Sequence, residues 1–97
     1  MTSPNFPQYY PNRIHERKTI KVAKGNVINI HFTDFHLENH YGVDDYLEIT
    51  DGDGTFLGRF GRVVDITSVT ETVYVLFHTD GSVTRSGWRL EWSELRL

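Results

Sequence analysis

Apolar residues in this chain recur at every second position rather than every third or fourth, and that period constrains the fold most. VINIHF (27–32) puts Ile28, Ile30 and Phe32 on one face, with Asn29, His31 and Thr33 on the other. After Asp34 the apolar phase slips to Phe35 and Leu37, which predicts a bulge or a strand end. YLEI sets Leu47 and Ile49 against Tyr46 and Glu48, and WRLEW sets Trp88, Leu90 and Trp92 against Arg89 and Glu91. Both tryptophans are thereby assigned to the core. TVYVLF (72–77) is apolar on both sides, as a central strand is. Turn chemistry separates these runs: KGN at 24–26, DGDG at 51–54, DGS at 80–82 and RSG at 85–87. The opening SPNFPQYYPN carries three prolines and predicts an irregular segment. Short strands between Gly and Asp turns predict an all-β fold, an antiparallel sandwich or small barrel.

At 97 residues the chain is expected to form one domain, spanning 1–97. No apolar run approaches the ~20 residues that cross a bilayer, so no membrane insertion is expected. There is no cysteine, which excludes disulfides and thiolate metal sites. Charge is unevenly placed. Residues 1–24 hold five Lys or Arg and one acid, residues 25–58 hold seven acids and no Lys or Arg, and the remainder balances. A nucleic-acid footprint needs a continuous basic face, so the asymmetry points to a local acidic site instead. Arg13, Arg17, Lys18, Lys21 and Lys24 read as a solvated edge strand, which charged side chains guard against mispairing.

The acidic window DFHLENHYGVDDYLEITDGDG (34–54) allows several chemistries. An EF-hand loop beginning at Asp51 would need Gly at its sixth position and Glu at its twelfth, where this chain has Phe56 and Arg62. DGDG therefore reads as a hairpin turn. His36 and His40 have helical ligand spacing, but their region passes from strand to loop, which argues against zinc. Asp44, Asp45 and Glu48, or His78 beside Asp80, are carboxylate and imidazole groups without a catalytic arrangement. Neighbours on a strand face opposite ways, and no nucleophile elbow, phosphate loop or dinucleotide fingerprint is present. The expected class is non-enzymatic. Calcium takes six to eight hard oxygens in loose geometry, which a window free of Lys and Arg supplies. A solvated acidic face satisfies the composition equally well.

Four motifs, in order and with ordinary gaps, resemble the CUB domain, an extracellular β-sandwich module of complement proteases, tolloid-type proteases and endocytic receptors. They are SPNFPQYYPN, then FHLENHYGVDDYLEITDG, then LGRFG at 57–61, where the family has a turn, and VYVLFHTDGSVTRSGWRLEW. The resemblance covers residues 3 to about 93. It implies a jelly-roll-like antiparallel sandwich and, in many members, one Ca2+ held by a Glu and two Asp from separate loops. Those positions are Glu38, Asp45 and Asp80 here, with Gly81 and Ser82 completing the shell through carbonyls. Tyr10 would orient a ligand carboxylate, and Tyr9, Tyr41 and His40 would form the rim. Asp44, Asp51 and Asp53 then read as solvated turn residues.

The chain also departs from that family. Glu16 and Gly42 stand where cysteines are usual, one residue of the GRFG turn is absent, and the segment that normally precedes SPN is missing. Each absent bridge would otherwise contribute ~2–4 kcal/mol. The function implied is calcium-dependent binding of a partner protein that presents Lys or Arg, in a larger extracellular or secreted protein. Two alternatives remain open. One is a structural or self-association module that calcium only stabilises, and the other is a carbohydrate-binding accessory domain.

Overall fold

A computed structural model of the protein describes residues 1–37, 45–60, 65–80 and 84–96. Within them the strands are β1 (His15–Lys21), β2 (Val27–His36), β3 (Tyr46–Asp51), β4 (Phe56–Phe60), β5 (Asp65–Thr67), β6 (Thr72–His78) and β7 (Gly87–Leu95). They form two sheets, ordered β1-β6-β3-β4 and β5-β2-β7, and every pairing is antiparallel. The fold is an all-β sandwich.

Alternation builds the core as expected. Ile28, Ile30, Phe32 and Leu90 face Leu47, Ile49, Val73 and Val75 across the layers, and all are at most 1% exposed. Burying an aliphatic or aromatic side chain of this size contributes roughly 1.5–3 kcal/mol, so this layer holds the two sheets together. β6 lies between β1 and β3, and its outward Tyr74 and Leu76 are themselves half-buried. The predicted slip is a bulge: Phe32 pairs with Leu90 but Asp34 with Arg89, so Thr33 is the extra residue. DGDG closes the β3–β4 hairpin.

The basic segment is indeed a sheet edge, since β1 carries Arg17, Lys18 and Lys21 and pairs on one side with β6. At Glu16, where relatives are expected to have a cysteine, the carboxylate meets Lys18 Nζ at 3.3 Å. Lys18 also donates to the Thr2 carbonyl at 3.2 Å, so a charged tether links β1 to the N-terminal segment. Both side chains of the pair are more than a third exposed. An exposed pair of this kind is worth at most about 1 kcal/mol and cannot equal a disulfide.

Three expectations fail. Trp92 is 45% exposed, not core. Its phase is right, since it pairs with buried Ile30, but β7 ends its sheet, and the N-terminal residues that bond its outer edge reach only as far as Leu90. Leu57–Phe60 belongs to β4 rather than a turn, because it continues the ladder with Glu48 and Leu47. Asp51 is not a solvated turn residue. It is fully buried, and its carboxylate accepts from Gly52 N (2.8 Å), Val69 N (2.7 Å) and Thr70 Oγ1 (2.5 Å).

Candidate functional site

Asp45 sits immediately before β3 and is completely buried. Its Oδ2 accepts from the Tyr10 hydroxyl at 2.5 Å, and its Oδ1 accepts from the Asp80 backbone N–H at 2.9 Å. Sequence positions 35 residues apart on either side thus converge on one carboxylate. Asp80 is half-buried and follows β6 by one residue. Its carbonyl accepts from Arg13 N at 2.7 Å.

Several local interactions bring these groups together. Thr79 is buried and stitches the N-terminal segment to the end of β6. Its hydroxyl accepts from Ile14 N (2.6 Å) and donates to the Pro11 carbonyl (3.1 Å), while its own N–H donates to the Ile14 carbonyl (2.8 Å). The Tyr10 ring packs edge-on against Phe77, with centroids 5.2 Å apart, and Phe77 in turn meets Trp88 edge-on. Tyr10 is therefore a core side chain whose hydroxyl emerges at the site, 1% exposed overall.

Two of the sequence motifs explain each other here. Ser3 N donates to the Trp88 carbonyl at 2.9 Å, and Trp88 N donates to Ser3 Oγ at 3.0 Å, docking the SPN opening against the SGW turn. Gly87 has φ +94, and a Cβ there would stand 1.9 Å from Ser3 Oγ and 3.3 Å from Tyr10 Cδ2. Only glycine permits this approach. The opening segment is thus irregular in backbone but fixed in place, and it delivers Tyr10 to Asp45.

Of the expected site residues, the structure brings Tyr10, Asp45 and Asp80 together. Tyr9, next to Tyr10 in the chain, is 62% exposed. Glu38, His40, Tyr41, Gly81 and Ser82, with Asp44, lie outside the described residues. Sequence reasoning missed Thr79, whose only signal was a hydroxyl residue placed inward at the end of an alternating strand.

Among the described residues the ligand atoms at this end are oxygens: a buried carboxylate oriented by a phenol and an amide, with a second aspartate next to it. These two bonds fix the direction in which the carboxylate points. Hard oxygen acceptors of this kind fit Ca2+ and not the softer transition ions. Among the described residues no group of three or more His, Cys, Asp or Glu side chains gathers around one point. A cage built from Asp45 and Asp80 needs ligands from the neighbouring loops.

Comparison with known proteins gives the family. The CUB-domain family model matches residues 1–92, and the chain belongs to that family. It is 36% identical over 95 residues to cubilin of Canis lupus familiaris, which covers 93% of this chain and 3% of cubilin. It is 35% identical over 99 residues to mannan-binding lectin serine protease 1 of Homo sapiens, covering 95% of this chain and 14% of the protease. The chain thus corresponds to a small fraction of either relative's length. Among solved structures, the MASP-1 CUB2 domain bound to Ca2+ superposes with a TM-score of 0.84 at 30% identity, over 95% of this chain and 88% of that one.

Proposed function

We propose that this domain is a calcium-binding, non-catalytic protein-interaction module of a larger extracellular protein. Glu38, Asp45 and Asp80 would supply the carboxylates, with Gly81 and Ser82 adding carbonyls and Tyr10 fixing the Asp45 rotamer. The observation that carries this reading is the buried Asp45 carboxylate, clamped between Tyr10 and the Asp80 amide. A solvated acidic face has no need of a core tyrosine aimed at one of its members. The likeness to a CUB domain solved with Ca2+ supports the choice of metal.

Bound calcium would fix carboxylates from three chain segments. An incoming Lys or Arg then meets acceptors already in position and avoids most of the ordering cost of binding. Tyr9, Tyr41 and His40 would shape the rim. The test is NMR titration of the labelled domain with a lysine-bearing peptide, in calcium and in EDTA. Peptide-dependent shifts of Tyr9, Asp45 and Asp80 in calcium only, lost in Asp80→Ala, are expected. Identical shifts in EDTA would rule out a calcium-ordered site.

A second reading has its own support, because Tyr10, Thr79 and Arg13 tie the N-terminal segment to the sandwich at this point. Under it, calcium only stabilises the fold. Asp80→Ala would then unfold the domain rather than leave a folded domain that ignores the peptide.

A further inference from the structure

The outer face of the β1-β6-β3-β4 sheet carries a second cluster at the same end of the sandwich, and its donors are nitrogen. His15 on β1 and His78 on β6 are direct cross-strand partners. Their Nδ1 atoms are 3.3 Å apart, and the rings are nearly perpendicular, at 80°. Tyr46, opposite His78 on β3, stacks on its ring at 4.8 Å and restrains it. His15 is exposed and opens onto a groove of about 490 Å³ that Arg17, Glu48, Tyr74 and Leu76 also line.

We propose that His15 and His78 form a site for a late first-row divalent cation, with Zn2+ the expected occupant. Two nitrogens bound to one tetrahedral zinc at about 2.0–2.1 Å stand about 3.4 Å apart, close to the separation seen here. Without metal the same contact is a hydrogen bond between the rings, which needs one ring in a particular tautomer, and zinc would take the place of that proton. The antiparallel register fixes the two backbones and the Tyr46 stack fixes one ring, so little ordering remains for the metal to impose. Two imidazoles leave two positions for water or an external ligand, which makes the site open.

The surrounding charge permits a cation. The Arg17 guanidinium lies over the Tyr74 ring at 4.0 Å, and Tyr74 pairs with Thr19, so Arg17 leans away from His15. Arg59 lies 3.9 Å over the Tyr46 ring, and its charge is offset by Glu48, which it bonds through Nε and Nη2. Imidazole selects zinc, copper or nickel, whereas Ca2+ takes oxygens, so this site is chemically distinct from the Asp45 end. The two lie back to back: Tyr46 follows Asp45, and Thr79 and Asp80 follow His78. Zinc here would clamp the edge strand β1 to β6.

The test is calorimetric titration of ZnCl2 into the domain with Ca2+ in excess, alongside His15→Gln, His78→Gln and His31→Gln. His31 pairs with Asp65 across β2 and β5 and is the competing surface site. Even outer-shell ligand changes cost about 10–100-fold in metal affinity, so His15→Gln and His78→Gln are each expected to lose at least about tenfold. His31→Gln should match the wild type. Cu2+ electron paramagnetic resonance should show two imidazole nitrogens in the wild type and one in His15→Gln. His15 is an exposed edge-strand residue, so equal melting in EDTA checks that its variant is folded. Zinc affinity in His15→Gln within about twofold of wild type, or a loss confined to His31→Gln, overturns the proposal.

Discussion

A fully buried aspartate stands just before β3 and another ends it, and the two are used differently. Asp51 closes its own hairpin, and its donors are Gly52, Val69 and Thr70, two amides and a hydroxyl from adjoining turns. It is an internal cap, its carboxylate filled by its own hairpin and by the turn between β5 and β6. Asp45 is held by the Tyr10 phenol from the opening segment and by the Asp80 amide beyond β6, beside a second acid. Equal burial of the same residue type therefore does not mean equal roles. The origin of the donors, and the charge standing next to them, separates a fold-locking carboxylate from a candidate ligand.

The sharpest way to break this contrast is Asp51→Ala. Hydrogen bonds to a charged group are worth about 1.5–3 kcal/mol each, and Asp51 accepts three. A loss of about 3 kcal/mol or more is expected, large for a domain whose total stability is of order 5–15 kcal/mol. Urea unfolding should show the same loss in calcium and in EDTA. A loss confined to calcium would erase the distinction between the two aspartates.

Gly87→Ala attacks the Asp45 end through its scaffold. The new Cβ meets Ser3 and the Tyr10 ring at a positive φ, so a cost of about 1–3 kcal/mol is expected from crowding. Calcium affinity should fall with it, because Tyr10 is displaced; unchanged affinity would show that the opening segment does not set the site. Tyr10→Phe is finer still, deleting one hydroxyl and leaving the ring on Phe77. A cost of about 1–2 kcal/mol and a several-fold weaker calcium isotherm are expected.

The smallest effect belongs to Asp53, at the tip of the Asp51 hairpin. The Thr55 N–H donates to its carboxylate at 2.9 Å and, with the Thr55 hydroxyl, lowers its pKa below the ordinary 3.8. A lowered folded-state pKa contributes stability that is present above the ordinary carboxylate range. That contribution disappears as pH falls through the lowered value. Asp53→Asn should therefore remove a small increment of stability at neutral pH, flatten the acid limb of the curve slightly, and change nothing below the lowered value. A calcium shift smaller in this variant than in the wild type would mean that the hairpin end also binds metal.

Much of this was legible in the residues. Period-two alternation predicts the buried faces of β2 and β3, the two-sided apolar run marks β6 as a central strand, and the phase slip after Asp34 marks the Thr33 bulge within a residue. Asp45, Asp80 and Tyr10 were assigned by resemblance, and the structure brings them together. Asp51 was misread because its donors at positions 69 and 70 are distant in sequence, and DGDG looks the same whether its first carboxylate is solvated or sealed. Trp92 was misplaced because alternation reports which face a residue takes, not whether a second layer covers it at a sheet edge. The docking of Ser3 on Gly87 and Trp88 was hidden for a related reason: two ordinary turn motifs give no sign that they meet.

The central claim is that the Asp45 end holds calcium and the Asp51 end does not. The most direct test is a thermal melt of the domain in millimolar calcium and in excess EDTA, repeated on Asp45→Ala and Asp51→Ala. The account predicts that calcium raises Tm in the wild type and in Asp51→Ala, from its lower baseline, and leaves Asp45→Ala unmoved. Equal wild-type melting in calcium and EDTA, or a calcium shift that survives in Asp45→Ala, would contradict it.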